Sequence, residues 1–128
     1  MIVLDASAAA DLLLRRGRHL KVERLVREHD TASSDLLAAE VLHVLRRFEH
    51  CGELDRERAA EAVDDLLDIP LEIYPAFPLA RTVWGMRADV SAYDAAYVAL
   101  AAGLDALLVT TDERLARTAR RHCRVADL

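Results

Sequence analysis

Met1-Ile2-Val3-Leu4-Asp5-Ala6-Ser7 opens the chain with an apolar run ending on an acid, and Ala106-Leu107-Leu108-Val109-Thr110-Thr111-Asp112 ends on an acid again near the other terminus. A short continuous apolar run reads as a buried strand, and the acid after it marks where the strand meets solvent. A helical pattern follows each. Ser7 is suited to cap a helix over residues 8–16, carrying Leu12, Leu13 and Leu14, and Gly17 offers it a C-terminal stop. Asp112 precedes an Arg-rich helix over residues 113–122.

Between these runs the pattern keeps alternating. Residues 19–28 place Leu20, Val22, Leu25 and Val26 on one side of a helix. Residues 31–34 read as a short strand or a turn. Ser34 or Asp35 caps an amphipathic helix over 36–50 that ends at Gly52, and Asp55 starts another that runs to about Leu67 and stops before Pro70. Residues 71–74 form a strand between prolines, and 79–88 a helix. Ser91 begins the least polar helix, 93–102, closed by Gly103 and expected to be buried. A last short strand near residues 124–126 closes the sheet edge. This order predicts an α/β fold with a mostly parallel central sheet, covered on both faces and joined by right-handed crossovers. Both acid-ended strands read as central, so Asp5 and Asp112 emerge at the same sheet edge, where such sheets bind ligands.

Length and composition agree. The chain has 128 residues, 53% of them hydrophobic, enough for one domain over residues 1–128 with one core. No apolar run spans a bilayer, and MIVLDAS lacks the basic region of a signal peptide, so a soluble cytoplasmic protein without a membrane partner is expected. Cys51 and Cys123 form no CxxC pattern. Each follows a histidine, but adjacent side chains chelate poorly, so neither a disulfide framework nor a zinc site is indicated. A net charge of −5 argues against general affinity for nucleic acid. Lys21 is the one lysine among 17 basic residues, a bias that suits phosphate binding and that a GC-rich genome also produces.

The informative residues are four acids set where the pattern asks for apolar or neutral side chains: Asp5, Glu40, Asp94 and Asp112. Glu40 lies beside the apolar stripe of helix 36–50, between Leu36 and Val44 at helical spacing. Asp94 shares its face with Val98 and Ala101, which directs its carboxylate at a packed surface. A lone buried carboxylate costs several kcal/mol unless it is paired, protonated or bound to a cation, and four converging acids repel one another. A hard divalent cation, magnesium or manganese, answers both problems with oxygen ligands alone. Each acid also has a structural reading. Asp5 and Asp112 suit helix N-termini, Glu40 a boundary position, and Asp94 a partnership with Arg87 or Arg114. Asp64, Asp65, Asp68, Glu57 and Glu61 form an ordinary solvated helix face. Asp11 and Glu113 lie within about a turn of the four. Ser7, Thr111 and Glu113 are candidates to orient a ligand carboxylate or a water. The five histidines fall mainly on polar faces or helix ends, and no serine or cysteine shows the context of a covalent nucleophile.

Taken with Glu40-Val41-Leu42, Leu45-Arg46-Arg47, Tyr93-Asp94-Ala95-Ala96-Tyr97-Val98-Ala99-Leu100-Ala101 and Leu108-Val109-Thr110-Thr111-Asp112-Glu113-Arg114-Leu115, the opening residues Ile2 to Ser7 make the chain resemble PIN domains, and in layout the VapC-type toxins of toxin–antitoxin pairs. Val90 stands where many relatives have leucine; every acid position is kept. The resemblance covers essentially the whole chain. It implies a three-layer α/β/α sandwich, metal-dependent cleavage of RNA, and metal-site acids at Asp5, Glu40, Asp94 and Asp112. It also implies a homodimer and a VapB-like antitoxin that occupies the active-site groove.

On this reading the four acids hold one or two Mg2+ ions, for which Mn2+ can substitute, and activated water attacks the RNA phosphodiester. Arg87, Arg114 and Arg117 are candidates for gripping phosphate. Leu79, Val83, Trp84 and Met86 suit a dimer or antitoxin surface, with Trp84 equally suited to the core. Two rivals follow from the same residues. A receiver-like signalling domain also has an acidic magnesium pocket, but there is no adjacent acidic pair after the first strand, no mid-chain phosphoacceptor and no lysine after the late strand. A noncatalytic RNA- or protein-binding relative would use the acids structurally.

Overall fold

The computed structural model describes residues 1–128. Four strands, β1 (Ile2–Leu4), β2 (Thr31–Ser34), β3 (Leu71–Tyr74) and β4 (Leu107–Val109), form one sheet in the order β3-β2-β1-β4. Every pairing is parallel. Parallel neighbours need crossovers, which the helices supply: α1 (Ala6–Leu14) and α2 (His19–Glu28) after β1, α3 (Leu37–His50) and α4 (Arg56–Asp68) after β2, α5 (Ala80–Gly85) and α6 (Ala92–Gly103) after β3, and α7 (Glu113–Ala119) after β4. Helices α1, α2, α3 and α4 contact one another, whereas α6 packs on β1, β2 and β4 with α5 beside it. The result is the α/β/α sandwich, with the sheet between two helical layers.

The strand order fixes where a ligand site belongs. The chain steps outward from β1 through β2 to β3, then returns to place β4 on the other side of β1. The direction reverses between β1 and β4, and the crevice beyond their carboxyl ends is the favoured binding position of an open parallel sheet. Ile2 pairs with Leu107, Val3 with Leu108 and Leu4 with Val109. Asp5 therefore leaves the sheet next to Thr110, and Asp112 follows two residues on.

The core explains which elements are fixed most firmly. Ile2, Val3, Leu4, Leu108 and Val109 are fully buried in the sheet, and residues 95–101 of α6 are buried without a break. Seven successive buried residues on a helix require small side chains where the sheet comes closest, and four of them are alanine.

Several boundaries differ from the sequence pattern for local reasons. Residues 31–34 are a strand, entirely buried despite three hydroxyl side chains. Ser33 donates to the Leu4 carbonyl at 2.7 Å and Thr31 to the His29 carbonyl at 3.1 Å, so small polar groups are buried with partners. Asp5, not Ser7, caps α1. That helix stops at Leu14, three residues before Gly17, because Arg15 adopts the left-handed cap conformation with φ 52°. Gly17 instead permits a close approach, since at φ +55° a side chain there would meet Asp11 Oδ2 at 2.6 Å. Asp11 is occupied at this turn, 3.5 Å from Arg16 Nε. Residues 79–88 hold the end of a 3₁₀ turn over Phe77–Leu79 and the short α5, and α7 ends at Ala119 rather than His122. The last strand reduces to a single parallel bridge, Leu108 to Val125. No helix is long and apolar enough to cross a membrane.

Candidate active site

Asp5 is the most constrained of the four acids. Its backbone N–H extends the β1–β4 ladder by donating to the Val109 carbonyl at 3.1 Å. Its backbone then turns into α1, and Oδ1 accepts from the Ala8 N–H at 2.8 Å, which satisfies one orphan donor of the helix start. Ser7 Oγ donates to Oδ1 at 2.8 Å, with Oδ2 at 3.0 Å. Only 3% of Asp5 is exposed.

Ser7 ties this acid to the end of β4. Its hydroxyl lies 3.1 Å from Thr110 Oγ1 and accepts from the Thr111 N–H at 3.0 Å. The Asp112 N–H lies 3.3 Å from Ser7 Oγ and 3.2 Å from Thr110 Oγ1. Two hydroxyls thus hold the turn that presents Asp112, whose Oδ1 caps α7 by accepting from the Arg114 and Leu115 amides at 2.9 and 3.1 Å.

Glu40 and Asp94 come from opposite helical layers. Glu40, half-buried in the first turn of α3, accepts a hydrogen bond from the hydroxyl of Tyr97, a side chain only 1% exposed. Asp94, half-buried, lies in the first turn of α6 behind the Ser91 cap, where its own N–H donates to Ser91 Oγ at 3.2 Å.

The electrostatics join the four into one cluster. Burial pushes the Asp5 carboxyl up to about 6; the polar partners Thr110, Ala8 and Ser7 oppose the rise, and the charge of Asp94 adds to it. Glu40 is also raised, by burial first and by Asp94, against the Tyr97 hydrogen bond. Asp94 is raised by burial and by Asp112, with Ser91 and Arg114 opposing. Asp94 is therefore the member that feels or is felt by all the others. None of the ten ion pairs in the chain includes any of the four.

Such a set fits a hard divalent cation. Every donor is oxygen, repulsion has no side-chain counter-charge bonded to it, and hydroxyls support the carboxylates from behind. No three of these side chains are already gathered at ligating distance. Magnesium tolerates that, since it commonly keeps several waters and takes one or two carboxylates directly.

The other sequence candidates are distributed differently. The Thr111 amide is bonded in the Ser7 hub, while the hydroxyl in contact with it belongs to Thr110. Glu113 is exposed and engaged by Arg18 Nη2 at 2.8 Å. Arg114 is exposed beside Asp94, and Arg117 lines a separate crevice of about 270 Å³ with Arg18, Thr110 and Arg120. Arg87 lies 4.6 Å over the Trp84 ring and bonds the Trp84 carbonyl. Trp84 is 67% exposed, so it is not core, whereas Met86 is buried. Two hydrogen-bonding neighbours of the acids escape the sequence pattern, Thr110 and Tyr97. Aligning Leu4 with Val109 as parallel neighbours finds Thr110, because the next register step sets it beside Asp5. Tyr97 reads as core, and only its hydroxyl's contact with Glu40 separates it from that role.

A family model described as the PIN domain matches residues 2–121. Ribonuclease VapC1 of Mycobacterium tuberculosis is 40% identical over 125 residues, covering 96% of this chain and 94% of that protein. Among solved structures, the sarcin-ricin-loop-cleaving toxin VapC20 of M. tuberculosis superposes with a TM-score of 0.70 at 20% identity, covering 99% of this chain and 100% of the other. VapBC2 of Rickettsia felis, solved with a DNA fragment from its promoter, gives a TM-score of 0.67 at 17% identity, covering 98% of each chain. The two structural likenesses bear on the fold.

Proposed function

The chain belongs to the PIN domain family, and from that premise we propose that it is a magnesium-dependent ribonuclease, the toxin of a VapBC-type pair. The observation that carries the reading is the buried Asp5 at the sheet's switch point, coupled through Asp94 to Glu40 and Asp112 without a paired cation. Asp5, Glu40, Asp94 and Asp112 would hold the ion, with Mn2+ as a substitute. When bound, the ion supplies Lewis acidity at a phosphoryl oxygen and lowers the pKa of water at the site.

The chain's own residues do the rest. Ser7 and Thr110 keep Asp5 and the Asp112 turn in register. Tyr97 holds one Glu40 oxygen and leaves the other free. Asp94, raised by burial and by the charge of Asp112, is placed to accept or orient a proton of the attacking water. Arg114, whose charge reaches Asp94, is the arginine best placed for a substrate phosphate, and Arg117 lines the crevice beside Thr110; Arg87 is committed to Trp84. The proposed partners are a cytoplasmic RNA, a VapB-like antitoxin and a second copy of the chain, with Trp84 and Phe77 among the exposed apolar side chains available to a protein partner.

The test is cleavage of structured RNA by the wild type and Asp94→Asn, with Mg2+, Mn2+ or EDTA, followed on a denaturing gel. Cutting that needs the metal and is lost in the variant supports the enzyme. A folded wild type as inert as the variant with every metal and a broad RNA panel overturns it and favours a binding module.

A further inference from the structure

Tyr93 directly precedes Asp94 in the first turn of α6, and it is 64% exposed although residues 95–101 behind it are all buried. With Ser7, Glu40, His43 and Val44 it lines a cleft of about 560 Å³, within the usual size of a ligand site. Its lining includes the Glu40 carboxylate and the rings of His43 and Tyr93. His43 is exposed one turn after Glu40 on α3, so two π-systems from opposite helical layers border one space beside the carboxylates.

Four of the other five aromatic side chains are occupied. Arg16 covers the Phe48 ring at 4.2 Å, Arg87 covers Trp84 at 4.6 Å, Tyr74 bonds Glu72 at 2.8 Å, and Tyr97 is buried on Glu40. Phe77 is exposed but does not line this cleft. Tyr93 has neither a hydrogen bond nor a cation over its ring. Charge gives a second argument: a chain of net charge −5 has no broad basic surface to supply general affinity for RNA, so contacts that do not depend on phosphate add to what the arginines at the site contribute. Stacking of an unpaired base on an aromatic ring is such a contact.

We propose that Tyr93 is the stacking platform for an unpaired nucleobase next to the phosphate that is cut, with His43 bordering the same base from α3. The inference rests on the ribonuclease reading and narrows its substrate to RNA with an unstacked base at the cleavage point. It assigns Tyr93 to substrate selection.

A short single-stranded RNA carrying one 2-aminopurine, titrated with the protein in Ca2+ and read by fluorescence, tests this. Wild type and Tyr93→Phe should quench the probe, while Tyr93→Ala should bind roughly 5- to 150-fold more weakly and leave it bright. Tyr93 is exposed, so the variant keeps its fold, which circular dichroism checks. Equal quenching by Tyr93→Ala and wild type, or no quenching by wild type, overturns the proposal. Cleavage of the same RNA in Mg2+ separates the two readings. Cutting by wild type with unchanged KM in Tyr93→Ala refutes the stacking role alone, whereas Tyr93-dependent quenching without cutting refutes the nuclease and leaves the stacking site standing.

Discussion

β1–Asp5–α1 and β4–Asp112–α7 are one device used twice: an apolar strand, an aspartate that caps the next helix, and a parallel neighbour that sets the register. Their surroundings differ. β1 lies between β2 and β4, so Asp5 is enclosed and its carboxyl is pushed up to about 6, while Asp112 at the outer strand is exposed. The same local motif therefore yields a desolvated acid in one place and a solvated one in the other, and position in the sheet decides which.

The largest effect should come from replacing either acid. Asp5→Asn and Asp112→Asn should each lower RNA cleavage by about a hundredfold or more, given what loss of even outer metal-site partners costs. Their stabilities should diverge. Asparagine caps a helix nearly as well as aspartate, so Asp112→Asn should stay within about 0.5 kcal/mol of wild type. Asp5→Asn should instead stabilise the metal-free protein at pH 7 by about 1–3 kcal/mol, seen as a higher Tm, because it removes a buried charge.

Ser7→Ala strikes the bond between the two halves. It takes a hydroxyl from Asp5 and an acceptor from the Thr111 amide, so activity should fall about 10- to 100-fold and the Asp5 carboxyl should rise further. In a double-mutant cycle Ser7→Ala and Asp5→Asn should be non-additive, since both act on one hydrogen bond. Tyr97→Phe should act less, lowering activity about tenfold and moving the acidic limb of the pH–rate profile upward, because the hydrogen bond that holds Glu40 down is gone. Glu113→Gln should change little, within about 0.5 kcal/mol, since it breaks only the exposed pair with Arg18.

The contrast also shows what the sequence makes legible. Strand–acid–helix punctuation locates Asp5 and Asp112, and a carboxylate on an apolar helical face locates Glu40 and Asp94. The polar strand Thr31–Ser34 is ambiguous in sequence because its burial depends on backbone acceptors supplied by β1 and the chain before β2, which no local pattern contains. Ser7 reads as a cap because Asp5 and Ser7 both suit that position, and only the β4 turn explains why the serine faces Thr110. Trp84 and Met86 are indistinguishable in so short an amphipathic segment, yet one is exposed and the other buried. Tyr97 makes its contact with Glu40 at the tip of a core side chain, where periodicity gives no signal.

The central claim is that Asp5's buried charge is a cost that a cation relieves. An acid raised in the folded state contributes stability that is fully present below its unfolded pKa, near 3.8, and lost as pH rises through about 6, a change of roughly 3 kcal/mol. The most direct measurement is unfolding free energy from pH 4.5 to 7.5, for wild type and Asp5→Asn, with and without Mg2+. The account predicts that metal-free wild type loses stability relative to Asp5→Asn as pH rises through this window, and that Mg2+ restores it at pH 7.5 in wild type alone. Parallel pH curves for the two proteins, or an equal response to Mg2+, would contradict it.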